Sequence, residues 1–315
     1  MKTAYLFPGQ GAQKVGMGRE LCEAFTPAAE IFDRAEAVTA LPIRKLCFDG
    51  PQDVLDRTDH AQPCIFTVSA ATLAVMDSIL TPEQKQDIAP AVMAGLSLGE
   101  YTALYAAQAV DLETALELVT KRGRAMQDAA EQQPSSMLCV LGVDENQAAE
   151  LCQAAANGQP LTCANFNCPG QVVLSGGVEA CLRAAELAEQ FGASGTVPLN
   201  VAGAFHSDYM APAAEKLSEA LQDVSFADPS VPVVSNVDGK PHTAVDQIGD
   251  KLLAQLVSPV RWRQSMEALI ADGVERFFEI GPGRVLAGLM RRIHRRANFT
   301  SLNSEKAVEK LAESH

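Results

Sequence analysis

Ser97 lies in Gly95-Leu96-Ser97-Leu98-Gly99, with a glycine two residues away on either side. A serine so flanked fits a nucleophile elbow, a sharp turn from strand to helix that leaves the hydroxyl at its apex. Glycine removes the Cβ atoms that would collide at such a turn. The chemistry on offer is attack by a hydroxyl on a carbonyl carbon, through a covalent acyl-serine. The surroundings agree with this. The apolar run Ile88 to Ala94 reads as a strand, and the alanine-rich Glu100 to Ala107 as a helix.

Such a hydroxyl needs a base, and histidine is the usual one near neutral pH. His315 is terminal, His242 follows Gly239-Lys240-Pro241 in a turn, His294 sits in the basic run Arg291 to Arg296, and His60 precedes a helical pattern. His206 differs. Its neighbours Gly203-Ala204-Phe205 are small or apolar and could shelter an imidazole from water. A lone histidine in apolar company is ordinarily a core residue; a serine in need of a base makes His206 the candidate. An oxyanion requires two donors aimed at one point: the N–H after the nucleophile, here Leu98, and one from a separate loop. Pro8-Gly9-Gln10-Gly11-Ala12-Gln13 could supply the second from Gln10. That loop matches neither the phosphate loop nor the dinucleotide fingerprint, so nucleotide binding is set aside.

These residues need a scaffold, and 315 residues can build one large domain or two. The composition, 47% hydrophobic and 20% charged, is that of an ordinary α/β enzyme. A net charge of −14 argues against general affinity for nucleic acid or an anionic membrane. No leader-like segment precedes the first strand, and no stretch reads as long and apolar enough to span a bilayer. Eight scattered cysteines without a C-x-x-C pair read as reduced core thiols in a cytoplasmic protein, with no metal site.

Apolar strands alternate with helices through the first 126 residues, which predicts a mainly parallel sheet covered on both faces. Asp111 caps an amphipathic helix running to about Ala130. After Pro134-Ser135-Ser136 the rhythm becomes β-α-β-β-α-β, the ferredoxin-like order, with strands near 137–141, 161–165, 171–175 and 195–199. This reads as a small subdomain, residues 127–200, inserted into a larger one made of 1–126 and 201–315.

Seven motifs occur in order: Phe7 to Gln13, Gly95 to Tyr101, Lys121 to Gln127, Asn165 to Gln171, Gly203 to His206, Ser258-Pro259-Val260-Arg261-Trp262 and Glu279-Ile280-Gly281-Pro282-Gly283. With them the chain resembles the malonyl-CoA:acyl carrier protein transacylase family, which loads malonyl units for fatty acid synthesis. It is also similar to the acyltransferase domains of polyketide synthases. The resemblance covers nearly the whole chain and implies a hydrolase-like core with a ferredoxin-like insert.

It further implies a ping-pong transfer of malonyl from coenzyme A to Ser97, then to the phosphopantetheine thiol of an acyl carrier protein, without metal or bound cofactor. By resemblance His206 is base and later acid, Gln10 and Leu98 form the oxyanion hole, and Gln255 orients His206 through its main-chain carbonyl. Arg122 would grip the free malonyl carboxylate, a task suited to a planar guanidinium. Met126, one helical turn on, should face the same pocket. Asn167 and Phe205 are the remaining expected substrate contacts, and the Phe205 ring would crowd an α-methyl group. Asp208 is a weaker substitute for Gln255. Many members carry histidine before the nucleophile, where this chain has Leu96.

The expected protein is a cytoplasmic monomer whose partner is an acidic carrier, docked on Lys121 and Arg124 or on Arg291, Arg292, Arg295 and Arg296. The alternatives are a free-standing polyketide-pathway acyltransferase, a serine esterase or thioesterase, and a non-catalytic carrier-binding module.

Overall fold

The strand Thr3–Phe7 is buried at every position, as a strand covered on both faces of a parallel sheet must be. It belongs to a computed structural model that describes residues 1–242 and 244–313, so that His315 lies outside the described residues. Among the described residues the strands are, in chain order, β1 (Thr3–Phe7), β2 (Pro90–Gly95), β3 (Ser135–Leu141), β4 (Leu161–Cys168), β5 (Gln171–Gly177), β6 (Gly195–Pro198), β7 (Val233–Val234), β8 (Arg276–Ile280) and β9 (Asn298–Leu302). They form two sheets. The first has the order β7-β2-β1-β8-β9 and is parallel throughout. The second has the order β4-β5-β3-β6 and is antiparallel.

The parallel sheet is fully buried at its centre and short or half-exposed at its edges. Its edge strand β7 has only two residues, and β9 alternates exposed and covered positions. Both features protect an unpaired edge. The helix Thr58–Ile79 is, by length and composition, apolar enough to cross a bilayer, contrary to the expectation from sequence. In the fold it is a core helix: 72% of its most apolar window is buried, packed by the helices Thr26–Thr39 and Leu112–Gln132. Eight cysteines are free, seven of them buried.

Two motifs explain how the sheets and helices are tied together. A Cβ on Gly123 would stand 2.8 Å from the carbonyl oxygen of Thr58, so glycine lets two long helices touch there. One turn on, Gln127 Oε1 accepts the Thr58 N–H at 3.0 Å and supplies a helix start that has no cap of its own. The antiparallel sheet is joined to the larger part through Val260. Its N–H donates to Ala164 at 2.8 Å, and its carbonyl accepts from Phe166 at 3.0 Å.

The Glu279-Ile280-Gly281-Pro282-Gly283 motif is structural. At the end of β8 the fully buried Glu279 carboxylate accepts from Leu286 and Ala287 N–H, at 2.8 and 3.3 Å, and from Ser301 Oγ at 2.7 Å. It thereby caps the helix Val285–Ile293, one wall of the main cavity. Burial raises its pKa, and those three donors oppose the rise. Glu279→Ala should destabilise the fold by about 1–3 kcal/mol through the abandoned donors. Denaturant unfolding checks it; an unchanged midpoint would remove the capping role.

Candidate active site

The elbow is built by steric necessity. A Cβ on Gly95 would lie 1.9 Å from the Gly99 carbonyl, and one on Gly99 would lie 2.1 Å from the Phe7 carbonyl oxygen. No other residue fits where β1, β2 and the helix Leu98–Ala106 meet. Between them Ser97 takes φ +52°, a strained value for a side chain with Cβ. The strain is held by Asn236, just beyond β7. Its Oδ1 accepts the Ser97 N–H at 2.6 Å and its Nδ2 donates to the Gly95 carbonyl at 2.7 Å.

His206 also has a positive φ, +58°. Its Nε2 stands 2.9 Å from Ser97 Oγ, and its Nδ1 stands 2.7 Å from the main-chain oxygen of Gln255. The carbonyl can only accept, so the proton sits on Nδ1 and the Nε2 lone pair faces the serine hydroxyl. Asp208 is exposed on the next turn and plays no part in this chain of bonds. Burial, and then the Arg122 charge, push the His206 pKa down to about 4, against the opposing pull of the Gln255 carbonyl.

Arg122 is 1% exposed. Its Nη2 donates to Ser97 Oγ at 2.9 Å and to Gln255 Oε1 at 2.8 Å, and its Nη1 donates to Gln62 Oε1 at 2.7 Å. Its guanidinium lies 5.2 Å from the Tyr101 ring centroid, a cation–π contact. Burial pulls its pKa below the usual value, and the Tyr101 and Glu100 groups oppose that. A guanidinium stays charged under any ordinary condition. A buried cation hydrogen-bonded to neutral oxygens is an incomplete ion pair, suited to an incoming carboxylate.

Ser97, His206, Arg122, Gln10, Leu98, Met126, Phe205 and Asn167 all line one cavity of about 510 Å³ between the two sheets. Gln255 does not line it; it lies buried behind the histidine. Met126 Sδ accepts from Gln62 Nε2 at 3.2 Å. Leu96, the residue before the nucleophile, faces the cavity. Leu98 is the first residue of its helix, and Gln10 is on the loop after β1. Lys121, Arg124, Arg291, Arg292, Arg295 and Arg296 are exposed, outside the cavity.

Four residues of the site were not singled out from sequence. Gln62 and Tyr101 hold the guanidinium, Asn236 holds the elbow, and Glu100 holds both Asn236 and Gln255. The Glu100 carboxylate is fully buried; Oε2 accepts Gln255 Nε2 at 2.7 Å and the Asn236 N–H at 3.0 Å, while Oε1 accepts His242 Nε2 at 3.0 Å. The one sequence signal for Gln62 was a polar side chain within an apolar helix.

Together these groups can acylate a serine with an ester or thioester whose acyl part ends in a negative charge. With its pKa near 4, His206 remains a neutral base well below the ordinary imidazole value of 6.5. Acylation of the free enzyme, read as kcat/KM, should therefore stay level as pH falls through 6.5 and drop only towards 4. Stability has the same sign. Below 6.5 the unfolded chain takes up a proton that the folded histidine refuses, so stability declines as pH falls from 6.5 to 4. A rate that halves at 6.5 would contradict the burial of this base.

Comparison with known proteins finds likeness along nearly the whole chain. Residues 4–310 match the acyl transferase domain family. The malonyl CoA-acyl carrier protein transacylase of Bacillus subtilis is 40% identical over 309 residues, covering 98% of this chain and 95% of that protein. The Escherichia coli transacylase of the same name is 40% identical over 305 residues, 97% of each. The Coxiella burnetii transacylase structure superposes with a TM-score of 0.94 at 36% identity, covering 99% of this chain and 97% of that one. A malonyl-transacylase solved with a type II polyketide synthase acyl-carrier protein gives 0.93 at 36% identity over the whole of both chains. An elbow serine, a histidine held by a main-chain carbonyl and an arginine in one cavity thus accompany extensive likeness to acyl-transferring enzymes: the chain belongs to the acyl transferase domain family.

Proposed function

We propose that the protein transfers malonyl from malonyl-CoA to the phosphopantetheine thiol of an acyl carrier protein, through a malonyl ester of Ser97, in fatty acid synthesis. The observation that carries the reading is the buried Arg122 guanidinium within 2.9 Å of the serine oxygen. A simple esterase has no use for a buried cation beside its nucleophile. The malonyl-CoA transacylase names of relatives at 40% identity support the same substrate.

In the proposed course, Ser97 Oγ attacks the thioester carbon while His206 Nε2 takes its proton. The oxyanion is received by the N–H groups of Gln10 and Leu98. Collapse expels the coenzyme A sulfur, which takes the proton from His206. The carrier thiol then gives its proton to His206 and attacks the ester, and Ser97 leaves with that proton. The free malonyl carboxylate takes both nitrogens of Arg122 and displaces its bonds to Ser97 Oγ and Gln255 Oε1. Met126 and Asn167 flank the acyl chain. The neutral Gln255 carbonyl stabilises the imidazolium less than a triad carboxylate would, and the Arg122 charge disfavours it further until the malonyl carboxylate cancels that charge.

Phe205 supports malonyl over methylmalonyl, since its ring lines the cavity and Ser175 Oγ pins its carbonyl at 2.6 Å. One methyl group is worth only about 1–3 kcal/mol of discrimination, so the preference is graded. No step calls for a metal or bound cofactor. The carrier docks where the helix Val285–Ile293 meets the cavity mouth, because Val285 and Leu289 line the cavity while Arg291 and Arg292 face outwards. Lys121 is a poorer candidate, paired with Glu117 at 3.6 Å. The equally good superposition on the polyketide-pathway transacylase favours, as a second reading, a carrier from that pathway.

Residues 127–200 are read as a ferredoxin-like subdomain, supported by the β-α-β-β-α-β order and the sheet order β4-β5-β3-β6. The helix Leu112–Gln132 packs on helices of the larger part, so a boundary after Gln132 follows the packing more closely. A monomer in the cytoplasm completes the reading; the unpaired thiols accord with a reducing compartment.

Intact-mass analysis after mixing with malonyl-CoA should show one malonyl adduct, absent in Ser97→Ala. Arg122→Ala should lower the ratio of malonyl to acetyl loading by about ten- to a hundredfold, the worth of charged hydrogen bonds. Equal loss for both acyl groups would remove the carboxylate role. Release of malonate without carrier, as fast as transfer with it, would make the enzyme a hydrolase.

A further inference from the structure

The family reading leaves one buried ion unused. Glu100 is the third residue of the helix that follows Ser97, and its carboxylate is fully shielded from solvent. Buried carboxylates are costly unless every oxygen is engaged. Both are engaged here. One takes the Gln255 amide and the Asn236 N–H, at 2.7 and 3.0 Å; the other takes the His242 imidazole at 3.0 Å.

The two groups on the first oxygen matter for different members of the catalytic pair. Asn236 clamps the elbow by accepting the Ser97 N–H and donating to the Gly95 carbonyl. Gln255 orients the histidine through its main-chain oxygen, and its Nε2 also reaches the Ser97 carbonyl at 3.0 Å. The same Gln255 side chain meets Arg122 through Oε1 at 2.8 Å. One neutral amide therefore bridges a buried anion and a buried cation.

We propose that Glu100 is a positioning residue that holds the serine and histidine in register, acting through Asn236 and Gln255 at once. It touches no substrate. Its carboxylate stands one residue further back than the aspartate of a serine triad, behind the carbonyl that orients the imidazole. Two elements that meet only in the folded chain, the loop after β7 and the helix Asp246–Val257, are fastened to the elbow helix by this one group.

The proposal rests on the acyl transfer reading for its substrates, and the test separates the two. Parent, Glu100→Gln and Glu100→Ala enzymes are each acylated by malonyl-CoA, by acetyl-CoA, and by a neutral sulfonyl fluoride that reacts with the serine alone. Circular dichroism and melting curves fix the folded fraction. Loss of alignment near an ångström costs about a hundredfold, so Glu100→Ala should lower kcat by roughly that factor for both acyl groups, with KM little changed. The sulfonyl fluoride rate should fall in parallel. Glu100→Gln keeps an acceptor for Gln255 and Asn236 and should recover most of the loss.

Unchanged rates per folded molecule, or a loss confined to malonyl, would overturn the positioning role. So would a Gln variant no better than Ala at equal folded fraction. A parent enzyme that reacts with the sulfonyl fluoride and not with malonyl-CoA would reject the acyl transfer reading, while the sulfonyl fluoride comparison would still decide the role of Glu100.

Discussion

A permanently charged guanidinium sits in the interior of this protein, only 1% exposed. Much of the surrounding structure follows from that constraint. An isolated buried charge costs several kcal/mol, so the site must surround it with partners. Gln62, Gln255 and the Tyr101 face do so directly, and Glu100 does so through the Gln255 amide. Each is an imperfect partner. Amide oxygens carry partial charge, and the one carboxylate is a bond removed. The interior is thereby left short of a negative charge at the place where an acyl group would rest.

The same shortage tunes the chemistry. A cation beside Ser97 Oγ favours negative charge on that oxygen, and it disfavours a second positive charge on His206. The base is thus kept neutral, with its lone pair on the serine, far into the acid range. An arriving carboxylate would cancel the Arg122 charge and let the imidazole accept its proton more readily. Binding and activation share one group. An acetyl group brings no such charge, which is a physical basis for selectivity beyond the strength of the carboxylate's own bonds.

The sequence was most legible where steric rules leave no choice. The glycines around Ser97 can be read as an elbow because any Cβ there would collide with backbone, and the distances of 1.9 and 2.1 Å say how severely. Asp111 at the start of its helix, and the alternation of strands and helices in 135–198, were equally plain because local propensity and periodicity govern them. Glu100, Asn236 and Gln62 were not legible. Their partners lie 60 to 155 residues away, so nothing local separates Glu100 from an acid in the first turn of any helix. His242 shows the same limit from the other side: it follows Gly239-Lys240-Pro241, which reads as an exposed turn, yet its imidazole is 1% exposed on Glu100. The short helices Ile43–Asp49 and Gln52–Leu55 carry too few residues to show a period.

The central claim is that the free end of the acyl group completes the ion pair that Arg122 lacks. A crystal structure of the serine acylated by malonyl-CoA, captured before a carrier is added, addresses it directly. The carboxylate should lie within hydrogen-bond distance of both Arg122 nitrogens, with the bond from Arg122 to the serine oxygen gone. A malonyl group whose carboxylate points to solvent, with Arg122 still bound to Gln255 as in the free protein, would contradict the account.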